Sequence, residues 1–190
     1  MSIIDQLISK VTSLLTGKIT RAVTNKTKTY TFPSLPQTLE QFKALPEAAL
    51  TDVYAVAALS VVALTRFEAD RETSIAMLNF LKGPDPLNPM GIQQISDRFM
   101  DGKFYKVNSF FEGAVPGNNY TPVQPWQIKV TSNPYSFENE NRATLWLQSG
   151  GADSPRPVHL RKKPSTGQWF LVEIMYLGDI RTPVAADRWA

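Results

Sequence analysis

The stretch SGGADSPRPVHLRKK (149–163) concentrates residue types able to do chemistry: Ser149, the paired Gly150 and Gly151, the chain's single histidine, His159, and the cations Arg156, Arg161, Lys162 and Lys163. A phosphate-cradling loop requires glycines that lead into a helix N-terminus, whereas Pro155 and Pro157 steer this chain into an extended strand. A serine nucleophile requires an elbow, a base and an acid to orient the base, and no GxSxG is present. Nucleic acid requires a broad positive surface, but alternation along a strand divides these cations between two faces. The glycines therefore read as a turn. Asp97 and Asp101, four residues apart on a helical stretch, share a face and read as a solvated edge rather than an acid–base pair. With no cysteine and one histidine, disulfides, thiolate sites and ordinary zinc ligation are out of reach, and no metal or cofactor is expected.

The strands must position whatever the stretch does. WQIKV, ATLWLQS, PVHLRKK and WFLVEI are strand-like, rich in β-branched and aromatic residues and separated by turn formers. A hairpin over GGADSP that sets Leu145 opposite Leu160 also sets Leu147 opposite Val158, and a second turn at PSTG brings Leu171 beside Leu160 and Trp169 beside the stem of Lys162. The same alternation places Trp146, His159, Arg161, Phe170 and Val172 on the other face, away from Ser149. That face mixes aromatic and basic groups. With Tyr120 from the preceding loop, Trp146, His159, Arg161 and Phe170 are the candidate residues for an anionic or planar ligand. The competing reading is that His159 and Arg161 merely cover Trp146 and Phe170.

Helices precede these strands. Thr38 and Gln41 have capping-box spacing, and Pro46 stops the short helix they begin. From Val53 to Leu64 the chain is apolar nearly all round, and at about 12 residues it is too short for a bilayer, which needs roughly 20, so it reads as a central core helix. Asp70 caps the next helix, which ends at Gly83 before Pro84. Asn88 caps a fourth with Pro89 in its first turn, ending before Gly102. The loop 104–125 carries Phe110, Phe111 and Tyr120, which should pin it to a core while it walls a pocket.

The net charge of +3 is unevenly placed: residues 1–31 carry +4 and the rest −1. The first part reads as an amphipathic basic helical arm, with Ile4, Leu7, Ile8, Val11, Leu14 and Leu15 on one helical face. Asp5, Gln6, Ser9 and Lys10 interrupt any secretory signal. The stripe suits packing on its own domain, self-association or a protein partner, and a membrane surface. KTKTYTF, which follows, is a short strand or a linker.

The stretches MLNFLKGPDPLNP, DRFMDGKFY, FFEGAVPGNNYTP, SGGADSPRPVHLRKK and LGDIRTPVAADRWA together resemble a family of uncharacterised bacterial proteins, a domain of unknown function, over residues 35–190. The resemblance implies a bacterial cytoplasmic protein and an N-terminal arm that varies among members. It carries no activity to any residue.

Together these readings predict an arm (1–31) and one α+β domain (32–190), with helices packed on an antiparallel sheet of about four strands, cystatin-like or nuclear-transport-factor-like by analogy. The expected function is a non-catalytic interaction protein using the arm, with small-ligand binding or catalysis at the mixed sheet face and membrane attachment as alternatives. Trp189 is expected to pin the tail into a groove of its own domain.

Overall fold

A computed structural model describes residues 26–187 and Trp189. Ile4, Leu7, Ile8, Val11, Leu14 and Leu15 lie outside the described residues. The fold is α+β, with an open antiparallel sheet of five strands rather than about four. These are β1 (Thr27–Phe32), β2 (Trp126–Thr131), β3 (Arg142–Leu147), β4 (Arg156–Lys162) and β5 (Trp169–Glu173), neighbours in chain order. The additional strand is β1. Its full-length register with β2, from Thr27 opposite Thr131 to Phe32 opposite Trp126, assigns residues 27–31 to the sheet rather than to the arm. Tyr30 and Lys28 fix it further, both donating to Asp52 Oδ2, at 2.7 and 2.6 Å.

The helices are α1 (Leu39–Lys43), α2 (Val53–Leu64), α3 (Arg71–Lys82), α4 (Pro89–Phe99) and α5 (Tyr105–Asn108). Side-chain caps set their starts: Thr38 accepts from the Gln41 amide at 3.2 Å, Asp70 from Thr73 at 3.0 Å and Asn88 from Gly91 at 2.8 Å. Every residue of α2 is buried, as its all-round apolar sequence requires. It contacts all five strands and shares one core with Ile128, Val130, Leu145, Val158, Leu160 and Leu171. Its two hydroxyls are satisfied, because Tyr54 donates to Ser132 at 2.8 Å, and Ser60 donates to the Ala57 carbonyl at 2.7 Å and accepts from Tyr176 at 2.8 Å.

Two registers differ from expectation. β3 and β4 are slipped by two residues, so Leu160 faces Ala143, Leu145 faces Val158 and Leu147 faces Arg156. An even slip keeps every leucine on the core face while closing the hairpin more tightly. In β5, Leu171 and Trp169 do face Leu160 and Lys162, but a bulge follows, and Glu173 rather than Val172 stands opposite His159. The loop before β2 is pinned as its aromatics demand: Phe110, Phe111 and Tyr120 are buried, and Phe111 bridges to Ile128. Trp189 is 94% exposed and pins nothing.

Candidate basic cleft

A single row across three strands places the cleft's chemistry. Arg142 on β3 faces Arg161 on β4, which faces Phe170 on β5. Two like charges directly opposite one another destabilise a sheet unless something compensates them. No ion pair among the described residues includes Arg142 or Arg161. The end of β4 adds Lys162 and Lys163. Gly83, in the turn after α3, comes so close to Phe170 that a Cβ there would overlap the ring, and this contact brings the end of α3 to the row.

That contact delivers Lys82. The residue is only 6% exposed, and its ammonium donates to the Val172 carbonyl at 2.6 Å. Val172 is the residue that the β5 bulge leaves without a partner on β4, so the irregular register and the buried cation belong to one arrangement. A buried ammonium can make three donations and carries a desolvation cost of several kcal/mol without a counter-charge. Among the described residues no carboxylate pairs with it, although Asp85 stands in the same wall. The result is a cleft of about 340 Å³ with five cations, one carboxylate and one aromatic ring in its walls.

Of the sequence candidates, this cleft unites Arg161 and Phe170. His159 lies two pairs further along β4 on the same face, with Nε2 3.6 Å from Glu173 and Nδ1 3.1 Å from the Thr144 hydroxyl. Trp146 is half-buried opposite Pro157, outside the cleft walls. Tyr120 is fully buried, stacks on Tyr105 with centroids 5.3 Å apart and donates to the Arg181 carbonyl at 2.6 Å. Burial, then the neighbouring Tyr105, pushes its hydroxyl above the ordinary tyrosine range. It belongs to the packing around the C-terminal segment.

The residues that opened the sequence question are structural in their contacts. The Ser149 hydroxyl donates to Ser109 at 2.8 Å and accepts from the Gly151 amide at 3.1 Å. A Cβ at Gly150 would overlap the Ala114 carbonyl, and one at Gly151 the Tyr120 hydroxyl, so close approach of the hairpin loop explains both glycines. Asp101 lies beyond the end of α4 at φ 60° and pairs with Lys103, while Asp97 accepts from Gln93, so the two do not form a facing pair. No group of three His, Asp or Glu side chains able to hold a metal occurs among the described residues. No helix among them is long and apolar enough to cross a membrane.

Lys82, Arg142, Lys162 and Lys163 were not among the sequence candidates. Lys162 and Lys163 were visible as a cluster, and Arg142 follows once the correct register is used. Lys82 had no local signal beyond its place before Gly83.

Residues 34–184 match the profile of a family described as a domain of unknown function (DUF6935). No curated protein and no solved structure matches the chain.

Proposed function

The chain belongs to the family described as a domain of unknown function (DUF6935), and from its basic cleft we propose that it is a non-catalytic binding module that holds an anionic group. The observation that carries this is the Arg142–Arg161 row beside a buried Lys82 ammonium, three cations without a counter-ion among the described residues. An oxyanion between the guanidinium groups would relieve their repulsion and accept charge-assisted hydrogen bonds. Phe170 supplies an apolar wall that orients the rest of the ligand. Calorimetric titration with inorganic phosphate at constant ionic strength tests it. Arg161→Gln and Arg142→Gln should each weaken binding roughly ten- to a hundredfold, the value of about 1.5–3 kcal/mol for a charge-assisted bond. A flat titration of the unaltered chain refutes the assignment.

The same proposal keeps residues 1–31 as a self-association, partner-binding or tethering element, supported by the apolar face of Ile4, Leu7, Ile8, Val11, Leu14 and Leu15. Light scattering of the full chain against Leu7→Glu/Leu14→Glu is the test, and equal masses would remove it. Flotation with anionic vesicles separates a membrane role from a protein partner. A bacterial cytoplasmic setting and helix-on-sheet packing of the cystatin or nuclear-transport-factor kind complete the proposal. The cysteine-free composition and the shared core of α2 and the sheet support them.

A further inference from the structure

A second groove, of about 280 Å³, adjoins the basic cleft, and Lys82, Asp85 and Val172 stand in the walls of both. Its character is different. Leu87 and Met90, before and at the start of α4, line it together with Ile174 and Met175, which follow β5. Met90 is 70% exposed and Met175 is 54% exposed. Single exposed apolar residues are ordinary, but two methionines in one groove beside a cationic cleft are a surface of defined chemistry. Methionine is flexible and polarizable, and it adapts to chains of differing shape.

We propose that the two clefts form one site for a single-chain anionic amphiphile, with its head group on Lys82, Arg142 and Arg161 and its hydrocarbon chain over Leu87, Met90, Ile174 and Met175. This rests on the anion-binding reading and names its ligand class. Charge complementarity fixes the direction of the ligand. Asp85 stands in both grooves, but Glu173 lines only the second, which has Lys82 as its single cation against five in the basic cleft, so an anionic head is favoured in the basic cleft. The chain then gains affinity by leaving water. Each methylene that the groove covers is expected to tighten binding about two- to fourfold.

The test is calorimetric titration of the full chain with acetate, hexanoate and decanoate below micelle-forming concentration, with decanol as the neutral control and inorganic phosphate as the head-group control. Decanoate should bind at least about tenfold more tightly than hexanoate and far more tightly than decanol. Met90→Gln/Met175→Gln should bring decanoate back to the affinity of hexanoate, and Arg161→Gln should weaken every anion in the series. Thermal melts of the variants establish that they are folded. Phosphate binding with a flat carboxylate series overturns the amphiphile and leaves the anion site standing. Silence from phosphate and every carboxylate overturns both. Equal affinity for decanol and decanoate, or binding to phosphatidylglycerol vesicles without any response to monomeric decanoate, also overturns the amphiphile.

Discussion

Replacing Lys82 by Met should make the protein more stable and weaken its response to anions. Methionine matches the lysine stem in length and volume, so the packing of α3 against β5 is retained. The substitution loses one charge-assisted hydrogen bond to the Val172 carbonyl, worth about 1.5–3 kcal/mol, although cleft water can replace the donor. It also removes the desolvation of a lysine that is largely buried without a paired carboxylate among the described residues, a cost of several kcal/mol. The balance favours Lys82→Met by about 1–2 kcal/mol, which in a chain of this size raises the melting temperature by roughly 2–8 °C. Scanning calorimetry with and without phosphate is the assay. Phosphate at a hundred times its dissociation constant should stabilise the unaltered chain by about 2.7 kcal/mol and the variant, its affinity reduced roughly ten- to a hundredfold, by only about 0.4–1.4 kcal/mol. A melting temperature lowered by several degrees, with the phosphate response intact, would show that Lys82 is a structural strut.

Gly83→Ala should destabilise by about 2–4 kcal/mol, because the new methyl overlaps Phe170 and the residue sits at φ +58°, and the denaturant midpoint reads it. Burial alone would raise the Asp52 carboxyl, but hydrogen bonds from Lys28, Tyr30 and the Tyr54 amide outweigh it and hold its pKa below the ordinary aspartate range. Its stabilising contribution is therefore complete above the unfolded value of about 3.9 and is lost as pH falls through the lower folded value. Urea midpoints should drop over that acid window in the unaltered chain and less steeply in Asp52→Asn, which keeps the helix cap. Ser60→Ala leaves the buried Tyr176 hydroxyl without its acceptor and should cost about 1–3 kcal/mol in chemical unfolding.

The helices were legible because their signals are local. Asp70, Asn88 and Pro89 act within one turn of themselves, and the all-apolar run 53–64 permits only a buried helix of that length. β1 was ambiguous because TKTYTF is half exposed as a strand and acquires its register from β2, almost a hundred residues away. Its anchor, the pairing of Lys28 and Tyr30 with Asp52, joins positions that no periodicity links.

The cleft was hidden by a subtler effect of the same kind. Hydrophobic alternation determines which face a residue occupies and is blind to slips of two, so it placed Arg161 on the correct face but opposite Thr144. The actual register puts Arg142 there, turning an unremarkable arginine at the start of β3 into half of an uncompensated pair. The β5 bulge adds what alternation cannot express, since it moves Glu173 to His159 and falls at Val172, whose carbonyl receives Lys82. A glutamate at 142 would convert the row into an ordinary cross-strand ion pair. Arg142→Glu should therefore preserve the sheet while eliminating anion binding, so retained phosphate affinity in that variant would show that the row is not the seat of recognition.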